Sequence, residues 1–181
     1  MRRALAVVAG LAAALVAPSV TAAPAASTEG PGSGSSVAPI LCERGFVYSK
    51  ARRGCAEADS GIVADEELYE RGRALALAGY YAHALDALES VRTQTDARVF
   101  TMIGYARRKL GRFDEGITAY LQALAIDPNS ADAREYLGEA YVEIGRLHLA
   151  RAQLDRIEVI CGNRTCEQYA DLAERIADSL R

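Results

Sequence analysis

The chain has 181 residues, half of them apolar, with 21 basic residues against 24 acidic ones. That is enough for one domain with a core of its own. A net charge of -3 argues against nucleic acid as a principal partner, because phosphate binding needs net positive patches.

The first elements read as an export signal and a linker. Arg2 and Arg3 precede an unbroken small and apolar run from Ala4 to Val16, and small residues follow Pro18. This predicts a secretory signal over residues 1–22, cleaved after Ala22. The alternative is a retained anchor, but the run is shorter than the ~20 residues of a membrane span. Cleavage takes Arg2 and Arg3 from the 21 basic residues and leaves 19 against 24 acidic ones, a charge of about -5. The scarcity of Lys (only Lys50 and Lys109) and the abundance of Ala suggest a GC-rich bacterial genome, and with the signal a periplasmic or secreted product. Residues 23–41 are rich in Ala, Pro, Ser and Gly; such a stretch buries too little surface to order itself and reads as a flexible linker.

The four cysteines form two local pairs, Cys42/Cys55 and Cys161/Cys166. In an exported chain this grouping favours disulfides. On the chain-entropy estimate the two loops contribute roughly 3 and 2 kcal/mol. Zinc is the rival reading, but these spacings are not strong zinc spacings, and no metal or other cofactor is expected. The segment 42–64 opens with CERGFVYSKARRGC, where Phe46, Val47 and Tyr48 favour a strand and Arg52-Arg53-Gly54 a turn. It predicts a small disulfide-closed hairpin or loop. Its basic residues Arg44, Lys50, Arg52 and Arg53 could meet an acidic partner, or simply be solvated.

From Asp65 the apolar spacing is helical, with breaks at Gly79, Gly111, Pro128 and Gly145. Helix starts are expected after Asp65, Asp96, Asp114 and Ser130, each able to accept from first-turn N–H groups. The helical part repeats itself. Gly72, Gly104 and Gly138 are spaced 32 and 34, as are Gly79, Gly111 and Gly145, and Tyr81, Phe113 and Leu147. The series Ala84, Gly116, Ala150 and Leu88, Tyr120, Leu154 share those spacings. A glycine inside a helix costs ~1 kcal/mol relative to Ala, so Gly72, Gly104 and Gly138 need a reason. Facing Ala84, Gly116 and Ala150, they would let two helix backbones approach closely. Tyr81 and Phe113 would fill the wedge, and Leu88 and Tyr120 the gap toward the following unit.

Each unit is thus a helix, a Gly-containing turn and a second helix, and the segment 65–159 resembles the tetratricopeptide repeat. Residues 96–129 match best; the first unit is short and lacks Asp-Pro, and the third has Leu147 where an aromatic is usual. The resemblance implies an all-α solenoid of about three helix-turn-helix repeats. Over residues 160–181, Tyr169, Leu172, Ala173, Ile176 and Leu180 form an apolar stripe, which reads as a capping helix after a disulfide-pinned turn.

Catalytic residues are few. His83 and His148 lie about 65 residues apart and read as solvent-facing, no cysteine remains free for nucleophilic chemistry if both disulfides form, and no phosphate-binding loop precedes a helix. A non-enzymatic module is expected. The resemblance implies a concave groove for a protein or peptide, lined by the first helix of each unit. By register it would show Tyr69 and Arg73, then Arg98, Thr101, Tyr105, Arg108 and Lys109, then Asp132, Glu135, Glu139 and Glu143. Such a groove is basic and aromatic at one end and acidic at the other, which suits one orientation of a bound segment. The Lys/Asn/Arg clamp with which some family members hold a terminal carboxylate is absent. The alternatives are a structural subunit that packs on itself in an envelope assembly and, remotely, a metal-binding or hydrolytic protein.

Overall fold

The structure is a computed structural model that describes residues 39–181. The expected signal over 1–22 and most of the expected linker over 23–41 lie outside the described residues.

The first ordered element is a two-stranded antiparallel hairpin, β1 (Phe46–Ser49) and β2 (Gly54–Glu57), with Val47 opposite Ala56 and Tyr48 opposite Cys55. Alternation turns Val47 and Ser49 inward. The Cys42–Cys55 disulfide closes it, with 5.8 Å between Cα atoms. The hairpin docks on the first repeat. The Arg44 guanidinium donates to Asp86 at 2.5 and 2.8 Å, the Gly45 N–H donates to the same carboxylate at 3.0 Å, and the Lys50 N–H donates to Glu67 at 2.7 Å. Arg71 stacks over Tyr48 at 4.7 Å. Arg44 therefore serves the chain's own packing, while Arg52 and Arg53 stay exposed.

Seven helices follow: α1 (Asp65–Leu77), α2 (Tyr81–Leu88), α3 (Ala97–Lys109), α4 (Phe113–Ile126), α5 (Ala131–Glu143), α6 (Leu147–Cys161) and α7 (Glu167–Asp178). α1/α2, α3/α4 and α5/α6 pack as hairpins. Each hairpin turns on one glycine in the left-handed region, Gly79 (φ 86°), Gly111 (φ 76°) and Gly145 (φ 73°). The bonding is the same three times. The glycine N–H donates to Ala76, Arg108 or Val142, and the next N–H reaches Leu75, Arg107 or Tyr141, which is the Schellman arrangement.

That turn corrects two expected helix starts. Asp96 and Ser130 cap α3 and α5, accepting from Arg98 N–H and Ala133 N–H. Asp114 does not cap α4, because the residue that ends the Schellman turn, Arg112, already opens the next helix. Its carboxylate sits inside the first turn, where the helix dipole still favours it. Asp65 also lies inside its helix; its carboxylate accepts from Arg92, from Thr93 N–H and from the Thr93 hydroxyl. Those bonds hold it at about 2, below the ordinary carboxyl value, and tie the start of α1 to the loop after α2.

The glycines inside the helices explain the pairing. A Cβ on Gly104 would stand 2.6 Å from the Tyr120 ring and 3.0 Å from the Gly116 carbonyl oxygen. One on Gly72 would stand 2.4 Å from Leu88 and 3.2 Å from the Ala84 carbonyl. Leu88 and Tyr120 thus cover the glycine of their own repeat, and Tyr120 also lies 6.4 Å from the Tyr136 ring of the next. The third repeat departs from expectation: the closest neighbour of Gly138 is Leu172 of α7, at 2.5 Å from a Cβ, rather than Ala150. The capping helix fills the place there. α7 packs on α5 and α6, and the Cys161–Cys166 disulfide, 6.4 Å between Cα atoms, pins the turn before it. Buried Tyr120, Leu137, Ile157 and Leu172 anchor this half of the core.

The first helices α1, α3 and α5 touch in succession, whereas α2, α4 and α6 do not touch one another. The layer of first helices is therefore the inner side of the bend.

Candidate functional site

The inner layer carries a cleft of about 280 Å³. α1 contributes Tyr69 and Arg73, α3 contributes Arg98, Thr101 and Met102, and α5 contributes Asp132 and Tyr136, with its cap Ser130. All three repeats meet there because the 32- and 34-residue register places these positions on one face.

Of the basic residues on this inner layer, Arg73 and Arg98 line the cleft and Lys109 lies outside it, and their charges are of two kinds. Arg98 is committed: its guanidinium binds Asp96 at 2.7 Å and Glu66 at 3.0 Å, and stacks on the Tyr69 ring at 4.5 Å. Arg73 and Lys109 are exposed and make no ion pair among the described residues. Lys109 lies 5.5 Å from the centre of the Tyr105 ring. Tyr105 is one member of an aromatic run. Its ring is 6.2 Å from Tyr81 and 5.3 Å from Tyr136, which is 6.4 Å from Tyr120.

Three expected groove residues turn inward. Thr101 is 5% exposed, Arg108 2% and Glu135 8%. Thr101 donates its hydroxyl to the Ala97 carbonyl at 2.8 Å, one turn back. Arg108 donates to Glu139 and Glu143 at 2.5 Å each and lies 3.4 Å from the Tyr120 hydroxyl. Burial works against its charge, but Tyr120, Glu139 and Glu143 outweigh it and hold the guanidinium above its ordinary value. The expected split into a free basic end and a free acidic end is therefore corrected: Arg108, Glu139 and Glu143 neutralise one another across the α3–α5 joint, and Arg175 adds a bond to Glu143 at 3.2 Å. Two backbones held close by Gly104 and Gly116 leave Arg108 no path to solvent.

Glu135 differs from its neighbours. Burial, then the carboxylates of Glu139, Asp171, Asp132 and Glu167, push it up to about 8. Burial, then Glu135 and Asp132, raise the adjacent Tyr136 phenol to about 12. Asp132 accepts from Gln168 of α7 at 2.8 Å.

The register missed Tyr136 and Met102 as lining residues, although both share one position with Glu70. It also missed Gln168, which donates to the cleft residue Asp132, because α7 reads in sequence only as a lid. His83 is half-buried beside Tyr80 and His148 is exposed. All four cysteines are paired as the local grouping predicts. Among the described residues no group of three or more His, Cys, Asp or Glu is placed to hold a metal ion.

Comparison with known proteins agrees with this geometry. Residues 104–145 match the family model described as TPR repeat. A search of curated proteins finds no match. Among solved structures, the Yersinia enterocolitica type III secretion translocator chaperone SycD is similar at 21% identity, over 64% of this chain and 88% of that one, with a TM-score of 0.56. PcrH, solved in complex with the chaperone binding region of PopB, is similar at 21% identity over 64% of this chain and 93% of its own, with a TM-score of 0.53. MamA is similar at 19% identity over 64% and 76%, with a TM-score of 0.50. Identities this low show the fold alone: three glycine-hinged hairpins in one register form a tetratricopeptide-repeat-like solenoid, and residues 104–145 within it match the repeat model itself.

Proposed function

We propose that this chain is a non-enzymatic binding module that holds an extended protein segment along the inner face of α1, α3 and α5. The observation that carries the reading is the cleft where all three repeats converge, walled by Tyr69 and Tyr136 and carrying Arg73, a cation that forms no ion pair among the described residues; Lys109, outside the cleft on α3, is likewise without an ion pair. Aromatic rings supply contact area at small entropic cost, and unpaired charges set register and encounter rate. The PcrH structure, a relative in fold, contains a bound segment of another protein, which supports the reading. The bonding of the cysteines into two disulfides suits an oxidising compartment, so we place the working protein in the cell envelope or outside the cell.

The test is a photo-crosslinking amino acid at Arg73 or Tyr136, compared with one at Leu121 on the outer helix α4, in the native compartment. One defined protein crosslinked from the inner positions and not from Leu121 is expected. Crosslinks from Leu121 alone would overturn the reading. Charge reversal of Arg73 together with Lys109 should weaken that capture several-fold.

A second reading is self-association through the outer helices. Leu121 (51% exposed) and Val159 (68%) lie on α4 and α6. A sedimentation coefficient that rises with concentration, and falls on changing Leu121 and Val159 to Ser, would favour it.

A further inference from the structure

The basic tip of the hairpin serves neither the packing nor the groove. Lys50, Arg52 and Arg53 fall within the four residues between β1 and β2, and all three are exposed. None of them forms an ion pair among the described residues, whereas Arg44 of the same hairpin is bound by Asp86. Hydrogen bonds fix the shape of the tip. The Lys50 N–H donates to Glu67 at 2.7 Å, the Arg52 N–H to the Ser49 hydroxyl at 3.4 Å and the Arg53 N–H to the Lys50 carbonyl at 3.4 Å. Glu67 is thus engaged through the main chain, and the lysine head stays free. Arg53 has φ 50°, in the left-handed region that Gly or Asn adopts with least strain. A turn position that favours glycine holds a cation instead, and strain kept at an exposed residue points to a use.

The Cys42–Cys55 disulfide supplies a second observation. Cys55 is the second residue of β2, so its bond to Cys42, with 5.8 Å between Cα atoms, brings the chain before the hairpin back beside the turn. Ile40 and Leu41 immediately precede Cys42, at about 3.8 Å per residue, and are therefore placed at the same end of the hairpin. Both leave their large apolar side chains exposed. Three free cations and two bare aliphatic side chains share one end of a small, covalently closed element.

We propose that this end of the hairpin docks on an anionic lipid surface, with Lys50, Arg52 and Arg53 among the headgroup phosphates and Ile40 and Leu41 at the boundary with the acyl chains. The proposal is independent of the groove. Charged headgroups attract cations one by one and without register, which suits side chains that no ion pair holds. Aliphatic side chains beside cations give the shallow burial typical of interfacial segments. An acidic protein would answer the cations but not the aliphatic pair. The chain as a whole carries a net charge of -3, so the attraction is local to the tip and acts within a Debye length, about 8 Å at physiological salt. The apolar run of residues 4–16 lies upstream of the patch; as an export signal it would bring this end of the fold to a membrane face first.

The test uses the protein as recovered from the exporting cell and vesicles of phosphatidylcholine with or without phosphatidylglycerol. Each Lys or Arg near such a surface changes partitioning roughly fivefold. Lys50→Ser, Arg52→Ser and Arg53→Gly together should therefore lower binding to the phosphatidylglycerol vesicles by more than about tenfold. The melting temperature should hold or rise, because glycine relieves the turn. Changing Arg146, Arg151 and Arg156 to Ser removes the same charge from exposed positions elsewhere and should change binding less than about twofold. Equal loss in both triple variants, or equal binding to vesicles without phosphatidylglycerol, would overturn the proposal. The chain has no Trp, so Leu41→Trp reports on this site alone. Its emission should shift to the blue on phosphatidylglycerol vesicles, and that of Leu121→Trp should not; an unshifted Leu41→Trp refutes the insertion. A tip that captures polyglutamate but no vesicle would also refute the proposal and make the partner an acidic protein.

Discussion

At the scale of single residues, two buried charges have opposite solutions. Arg108 is neutralised within the fold by Glu139 and Glu143. Replacing one partner of such a pair leaves the others uncompensated in a poorly hydrated place, at about 3–5 kcal/mol. Arg108→Met should therefore lower the urea midpoint by that equivalent, and a loss under about 1 kcal/mol would mean the pair is solvated after all. Glu135 is raised to about 8, while the same group in the unfolded chain titrates near ~4.3. Between those values the folded protein keeps a proton that the unfolded chain has lost. Stability from this group is therefore full below pH ~4 and falls as pH rises toward 8, by at most about 1.4 kcal/mol per unit. Asp65, held at about 2, acts in the other direction: its contribution is present above pH ~4 and is lost as pH falls toward 2. Thermal melts from pH 5 to 9 should show the decline in the wild type and a flatter profile in Glu135→Gln. The sequence showed Arg108 and Glu135 on one face by register, but not that one is ion-paired within the fold while the other, among the described residues, is not. That depends on how closely α3, α5 and α7 approach, which no spacing within one helix encodes.

At the scale of elements, the glycine register was legible because each position answers a local demand. Gly79, Gly111 and Gly145 carry the positive φ of a Schellman turn, and Gly72 and Gly104 make room for a neighbouring helix. The helix starts were harder to place. A turn that closes one helix and opens the next within two residues leaves no slot for an Asp cap, so Asp114 fell inside α4. The partner of Gly138 was misread because the third repeat was matched only to its own second helix, whereas α7 comes from beyond the repeat. These differences predict unequal costs. An added methyl at Gly104 meets an aromatic ring and the Gly116 backbone, neither of which can yield easily, whereas at Gly138 it meets the flexible end of Leu172. Gly104→Ala should cost about 1–3 kcal/mol, typical of an overpacked interior, and Gly138→Ala measurably less. Chemical denaturation of both variants checks the order; equal losses would mean that the α3–α4 contact is looser than the structure gives.

At the scale of the whole molecule, repeat number and hinge positions could be read along the chain, while the cleft could be read only in outline. Its wall includes Tyr136 and Met102, which the register did not single out, and its Asp132 is held by Gln168 of the terminal helix. Both outermost repeats are occupied by elements that are not repeats. The hairpin, anchored by Arg44 to Asp86, lies on α1 and α2, and α7 presses Leu172 onto Gly138. Units that stack on their own kind carry a standing hazard of indefinite growth, since every free end is a template for the next copy. Here each template is already plugged, so the chain should terminate its own array and resist end-to-end fibre formation. Removing residues 162–181 would uncork one end, and light scattering should then reveal elongated aggregates that the intact chain does not form.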